Sequence, residues 1–263
     1  MNNDRPAKAI LVVLGTAFVC SLLVTIAAVQ LKPIQRAYQD LERNRFIVGI
    51  SGLATAGWEL EDGDVVDLFQ DLDPLLVDID AGRIDGSMNP LTFDQRGAAG
   101  NPELGVAIPS ELDGASLSRR SRYATVFVVG DRSNPQRIIL PMHGQGMWST
   151  LYGYLALEGD MNTIADVTFY EQGETAGIGD KILDPGWQAR WKGRQLYGAN
   201  GVLAFRIGDG VIDDASPAAQ HEVDAIAGAT VTTNAVTALV RYWFGPHGFG
   251  PFLKNLQSGE AGP

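Results

Sequence analysis

The stretch Asp224-Ala225-Ile226-Ala227-Gly228-Ala229-Thr230 is followed by Val231-Thr232-Thr233-Asn234-Ala235-Val236 and runs on to Trp243-Phe244. Ala227, Gly228 and Ala229 leave the backbone bare in front of Thr230, so a bulky group can approach its hydroxyl without meeting a side chain. Behind it, Val231, Ala235, Leu239 and Tyr242 or Trp243 recur at three-to-four spacing. That spacing predicts a helix entered from the threonine-rich turn and stopped at Gly245-Pro246. Thr230 then lies at a helix N-terminus, where free N–H groups and the positive end of the helix dipole favour a phosphate. Two readings stand side by side: a hydroxyl that only caps a helix, and a hydroxyl that carries a phosphate ester.

With 263 residues and a mass of 28.2 kDa, the chain can bury a sizeable core. Its hydrophobic content of 45% argues against disorder, and a net charge of −11 argues against a nucleic-acid partner. One cysteine, Cys20, excludes an internal disulfide, a cysteine-rich zinc site and a self-contained iron–sulfur cluster. Redox chemistry would need another cofactor.

Working outward along the chain, a short polar segment, 1–8, precedes an uncharged run from Ala9 to Val29 that is long enough to cross a bilayer as one helix. The apolar run is long for a signal peptide and no clear cleavage site follows, so it is taken as a retained anchor, 9–31. Positive charges flank both ends and leave its orientation open. A charged stalk or linker, 32–57, then leads to a large domain, 58–263. Val65, Val66, Leu68, Phe69 and Leu72 predict a short amphipathic helix before Pro74, and Leu75, Val77 and Ile79 a strand after it. The aspartates nearby lack EF-hand spacing and read as a solvated edge.

Tyr123–Val129 and Arg137–Leu140 predict a hairpin around Gly130–Pro135, with further strands at Tyr152–Leu157, Thr163–Tyr170 and Leu203–Ile207. Two glycine-rich loops interrupt this pattern. Pro141–Trp148 offers bare backbone against which something flat can lie, and Glu171–Gly179 exposes successive N–H groups suited to a ring edge or a phosphate. Gly245–Leu253 is expected to form a turn-rich tail packed beside the final helix. His143, His221 and His247 are each expected in loops.

Several motifs occur in the order of one known family: the anchor, Gly-Met-Trp-Ser-Thr-Leu-Tyr-Gly-Tyr-Leu-Ala-Leu at Gly146–Leu157, Gly-Glu-Thr-Ala-Gly-Ile-Gly from Gly173, Ala-Gly-Ala-Thr ending at Thr230, and Gly-Pro-Phe-Leu from Gly250. The chain resembles the C-subunit family of the sodium-translocating NADH:quinone oxidoreductase. The G-type flavoprotein of the Rnf electron-transport complex shares the anchor and the threonine site, and a cofactor-free anchored scaffold remains a third reading. The resemblance implies an α+β architecture: one transmembrane helix, then a mixed or antiparallel-sheet FMN-binding domain with flanking helices. It also implies FMN attached covalently by a phosphoester to Thr230, a periplasmic domain on the bacterial inner membrane, a flavin transferase for maturation, and other membrane subunits as partners. The transferase target motif has Ser or Thr where this chain has Ala227. Gly228, Ala229, Thr232 and Thr233 are then expected around the phosphate. Glu174, Thr175, Gly177, Ile178, Gly179, His143 and Trp148 are expected around the isoalloxazine, with no catalytic residue and no metal.

Overall fold

The structure is a computed structural model that describes residues 5–54 and 59–262. The beginning of the polar segment 1–8, the end of the stalk 32–57 and the start of the domain at 58 therefore lie partly outside the described residues. The chain divides into two compact units, Met1–Asn44 and Arg45–Pro263. The first holds most of α1 (Arg5–Ser51), which is long and apolar enough to cross a membrane. Ile10, Leu14, Phe18, Leu22 and Val29 are uncovered on it. A helix tolerates hydrocarbon around such side chains because its backbone polar groups are bonded internally.

The second unit takes in the last turns of α1 and then α2 (Asp62–Gln70), β1 (Leu72–Asp78), β2 (Arg83–Ile84), α3 (Gln95–Gly100), β3 (Gly105–Ala107) and β4 (Arg119–Ser121). A meander follows: β5 (Tyr123–Asp131), β6 (Asn134–Gln145), β7 (Thr150–Glu158) and β8 (Ile164–Glu171). The chain closes with α4 (Pro185–Ala189), β9 (Arg206–Ile207), β10 (Glu222–Val223), α5 (Thr230–Trp243) and α6 (Gly250–Ser258). One antiparallel sheet has the order β2-β1-β5-β6-β7-β8, while β3 pairs with β4 and β9 runs parallel to β10.

Both faces of this sheet are covered, which is why its strands read as nearly unbroken apolar runs. Val126, Val128, Ile138, Leu140, Leu155 and Leu157 join one core with Leu239, Val240 and Trp243 of α5 and Phe252 of α6. Phe127, Val129, Ile139, Tyr154 and Ala156 face the other way, onto Ile47, Val48 and Ile50 of α1 and onto Leu68 and Phe69 of α2. The stretch 45–51, read from the sequence as stalk, is thus part of the domain's packing. Each of those three buried aliphatic side chains contributes roughly 1.5–3 kcal/mol.

The structure differs from the sequence expectations at several places. Strand β1 starts at Leu72 and includes Pro74, because at Pro74 it pairs only with β5 and the missing N–H costs no ladder bond on the open side. Asp78 is buried rather than solvated: it accepts from the Asp80 and Ala81 N–H groups and pairs with Arg122 at 2.7 Å. Of Leu203–Ile207 only Arg206–Ile207 is strand, and the tail expected from Gly245 becomes helix α6 from Gly250. Strand β6 runs through to Gln145, so His143 is a strand residue and not a loop residue.

Helix α5 spans Thr230–Trp243 as its spacing predicts, but it is rotated by about one position. Val231 is 55% exposed, while Thr232, Thr233, Val236, Leu239, Val240 and Trp243 are buried. The helix crosses β6 where Gly144 lies: a Cβ built there would be 2.7 Å from Leu239 Cβ and 3.3 Å from Ala115 Cβ. Trp243 Nε1 donates to the His143 carbonyl at 2.6 Å, and the buried Arg120 donates from Nε to the Tyr242 hydroxyl at 3.1 Å.

Gly144→Ala should therefore overpack this crossing and cost about 1–3 kcal/mol, lowering the unfolding midpoint of the detergent-solubilised chain by roughly 3–10 °C. Gly210→Ala, at a glycine with open space around it, is the matched control; equal midpoints for the two variants would contradict the close approach.

Candidate functional site

The helix start has no side-chain cap. Its N-cap residue is Ala229, and Thr230 is the first helical residue, exposed, with no hydrogen bond from its hydroxyl to a described residue. A capping role for the Thr230 side chain is thereby removed. The helix offers no acceptor to the N–H groups of Thr230, Val231 and Thr232. Gly228 has φ +80°, a conformation that glycine adopts without strain, and it turns the chain into the helix. The turn is held from behind. Asp224 is buried, accepts from Ile212 N–H at 2.7 Å and pairs with Arg190, while its carbonyl accepts from Trp187 Nε1 at 2.9 Å.

Two loops meet this helix start. The turn after β6 brings up Trp148, which is 66% exposed; the loop after β8 brings up Thr175, Gly177 and Ile178, all exposed. Trp148 Nε1 donates to Thr175 Oγ1 at 3.1 Å, and Gly173 N–H donates to Ser149 Oγ at 2.6 Å, so the loops are bonded to one another. The side chain of Ile178 lies 3.8 Å from the Cβ position of Gly228. Glu174, 8% exposed, accepts from Trp148 N–H at 3.1 Å and from Thr232 Oγ1 at 2.5 Å.

Thr230, Gly228, Ala229, Thr232, Glu174, Ile178, Gly179 and Trp148 are therefore connected through direct contacts or adjacent backbone. The hydroxyls expected at a phosphate point elsewhere: Thr232 donates to Glu174, and Thr233 donates to the carbonyls of Ala229 and Thr230 at 3.2 and 3.1 Å. His143 is not brought to the site. Its ring lies 4.8 Å from that of Trp243 and 5.4 Å from that of Tyr152, at the end of α5 about 20 Å along the helix from Thr230. Sequence reasoning missed Ser149 and Arg190. Ser149 could have been suspected from its place beside the Gly-Met-Trp turn, whereas nothing in the local sequence marks Arg190.

An exposed hydroxyl at an uncapped helix start, approached over small residues, with Ile178 beside Gly228 and the exposed Trp148 indole on the loop joined to it, suits a phosphate joined to a flat apolar ring system. Similarity to known proteins agrees with that class: residues 146–245 match the model of the FMN-binding domain family. The chain is 42% identical to the Na(+)-translocating NADH-quinone reductase C-subunit of Pseudomonas aeruginosa over 99% of both chains, and 38% identical to that of Vibrio alginolyticus over 98% of both. The crystal structure of Shewanella oneidensis NqrC superposes with a TM-score of 0.76 at 37% identity, covering 84% of this chain and 99% of that one. The chain belongs to the C-subunit family of the Na(+)-translocating NADH-quinone reductases. The Rnf flavoprotein and the cofactor-free scaffold are set aside in its favour.

Burial pushes the His143 imidazole down from 6.5 to about 4, and the nearby Arg96 guanidinium adds to the shift. Between those two values the unfolded chain binds more protons than the folded one, so stability is full above pH 6.5 and falls as the pH drops towards 4. The loss amounts to about 3 kcal/mol at most. His143→Phe should flatten this dependence when unfolding midpoints are compared at pH 7 and pH 5; a variant with the parent's slope would assign the acid sensitivity to other groups.

Proposed function

We propose that the chain is the flavin-carrying C-subunit of a membrane-bound Na(+)-translocating NADH-quinone reductase, with FMN joined through its phosphate to Thr230 Oγ1. The observation that carries this reading is the exposed Thr230 hydroxyl at a helix start left open by Ala229 and Gly228. When bound, FMN supplies the redox chemistry.

The protein's own residues tether and shield. Thr230 fixes one end of the group. The first N–H groups of α5 and its dipole favour the phosphate's negative charge, and because the Thr232 and Thr233 hydroxyls are engaged inward, the backbone is the better donor. Trp148 and Ile178 offer exposed apolar surface on the two loops that meet this helix start, and Thr175 and Gly177 offer exposed polar backbone beside them. A carrier that hands electrons to neighbouring subunits needs an open edge rather than a closed pocket, and the exposure of these loops supports that use. Sodium movement belongs to the other subunits, because one apolar helix cannot enclose an ion path.

The resemblance further suggests a flavin transferase as the maturation partner and a periplasmic placement of Arg45–Pro263. Protease applied to intact spheroplasts should then digest this unit, and full protection would reverse the topology.

Co-expression with a flavin transferase, followed by intact and peptide mass measurement, tests the central claim. An FMN phosphoester is expected on the peptide containing Thr230, retained in Thr230→Ser and absent from Thr230→Ala. An unmodified Thr230 peptide in a folded chain would remove the covalent reading.

A further inference from the structure

Gly146 and Gly179 lie in the two loops that flank Thr230, and neither has a positive φ. Their need for glycine has another cause. A Cβ at Gly146 would stand 2.6 Å from Glu174 Oε1, and a Cβ at Gly179 would stand 2.8 Å from Glu174 Cβ, 2.8 Å from Thr232 Oγ1 and 3.2 Å from Glu174 Oε2. A Cβ at Gly146 would also meet the Ser149 carbonyl oxygen and Leu151 Cδ2 at 2.9 Å, but at both glycines the shared neighbour, and at Gly146 the nearest, is one side chain. That side chain is a buried carboxylate in a loop whose next four residues, Thr175–Ile178, are all exposed.

We infer that Glu174 is a positioning residue whose two oxygens lock the turn at Trp148 and the loop at Gly173–Gly179 onto the first turn of α5. The inference rests on the proposal that FMN is carried at Thr230, and it assigns Glu174 a role that does not require contact with the flavin. Oε1 accepts from the Trp148 backbone and Oε2 from the Thr232 hydroxyl, so one side chain joins three separate segments. The accessory bonds run the same way: Trp148 Nε1 to Thr175 Oγ1, and Gly173 N–H to Ser149 Oγ. Buried charge-assisted hydrogen bonds of this kind are short and directional, and removing the acceptor leaves their donors unmatched.

The donor types make the inference testable. Trp148 N–H can only donate, whereas the Thr232 hydroxyl can donate or accept. In Glu174→Gln the amide oxygen can take the Trp148 bond and the amide nitrogen can donate to Thr232, so the geometry survives without the charge. Glu174→Ala removes both bonds.

The experiment uses the full chain in detergent, labelled with 5-fluorotryptophan, in the Thr230→Ala background so that no covalent flavin is present. The Trp148 resonance is identified by its loss in Trp148→Phe, and the resonances of buried Trp187, Trp191 and Trp243 report that the core is folded. Glu174→Ala should move and average the Trp148 resonance while those three hold, and Glu174→Gln should restore the parent position. An unmoved Trp148 resonance in Glu174→Ala, or a Glu174→Gln spectrum matching that of Glu174→Ala, overturns the inference.

The same variants with Thr230 intact and flavin attached give the second readout. Loss of the visible circular dichroism of the flavin in Glu174→Ala, with its mass adduct intact and recovery in Glu174→Gln, is the expected result. A moved Trp148 resonance with unchanged flavin dichroism would uphold the lock and overturn the placing of Trp148 beside the flavin. Failure of the covalent reading itself would appear separately, as a missing mass adduct in the parent chain.

Discussion

The seating of α5 on β6 is the constraint on which the rest of the domain depends. A helix can approach a strand this closely only where the strand has no side chain, and Gly144 provides that point beneath Leu239. The bond from the Trp243 indole to the His143 carbonyl and the bond from Arg120 to the Tyr242 hydroxyl then fix the helix at its C-terminal end. With that end buried, the opposite end is carried out to the edge of the domain. The same helix closes the larger core and presents an open N-terminus, so packing and site are two ends of one element.

Glycine performs two separate tasks around that N-terminus. At Gly177 and Gly228 it supplies a left-handed backbone that turns the chain sharply. At Gly146 and Gly179 no positive φ is involved and the requirement is space, shared at both positions by the Glu174 side chain. The distinction matters chemically: the first pair shapes the surface offered to a ligand, while the second pair lets a buried carboxylate join the loops behind that surface. The outcome is an apolar, exposed front built on a polar, buried support.

Much of this was legible in the residues. Strands buried on both faces left unbroken apolar runs at Tyr123–Val129 and Tyr152–Leu157, and the small residues before Thr230 marked the helix entry. The rotation of α5 was not legible, because Thr232 and Thr233 look like solvent-facing residues until Glu174, 58 positions away from Thr232, is brought beneath the helix. For the same reason the sequence offers both hydroxyls to a phosphate, although in the fold they are engaged inward. His143 reads as a loop residue because glycines at 144 and 146 suggest a loop, whereas Gly144 is a strand residue required by a helix from much later in the chain. The C-terminal helix was hidden by Pro251 and Gly250, which break a helix in its interior but are accommodated at its first turn.

The antiparallel meander is complete at Glu171, yet the core on one of its faces is completed only by α5 and α6, beyond residue 229. Contacts such as Asn255 to the Gly82 carbonyl, across 173 positions, or Trp243 to His143, across 100, close very long loops. Topologies of that kind fold slowly, since loop entropy is lost before the contact is gained. A sheet that forms during synthesis before α5 emerges has Val126, Ile138, Leu140 and Leu155 incompletely covered, and its exposure to misassembly ends only when the Thr230 helix docks.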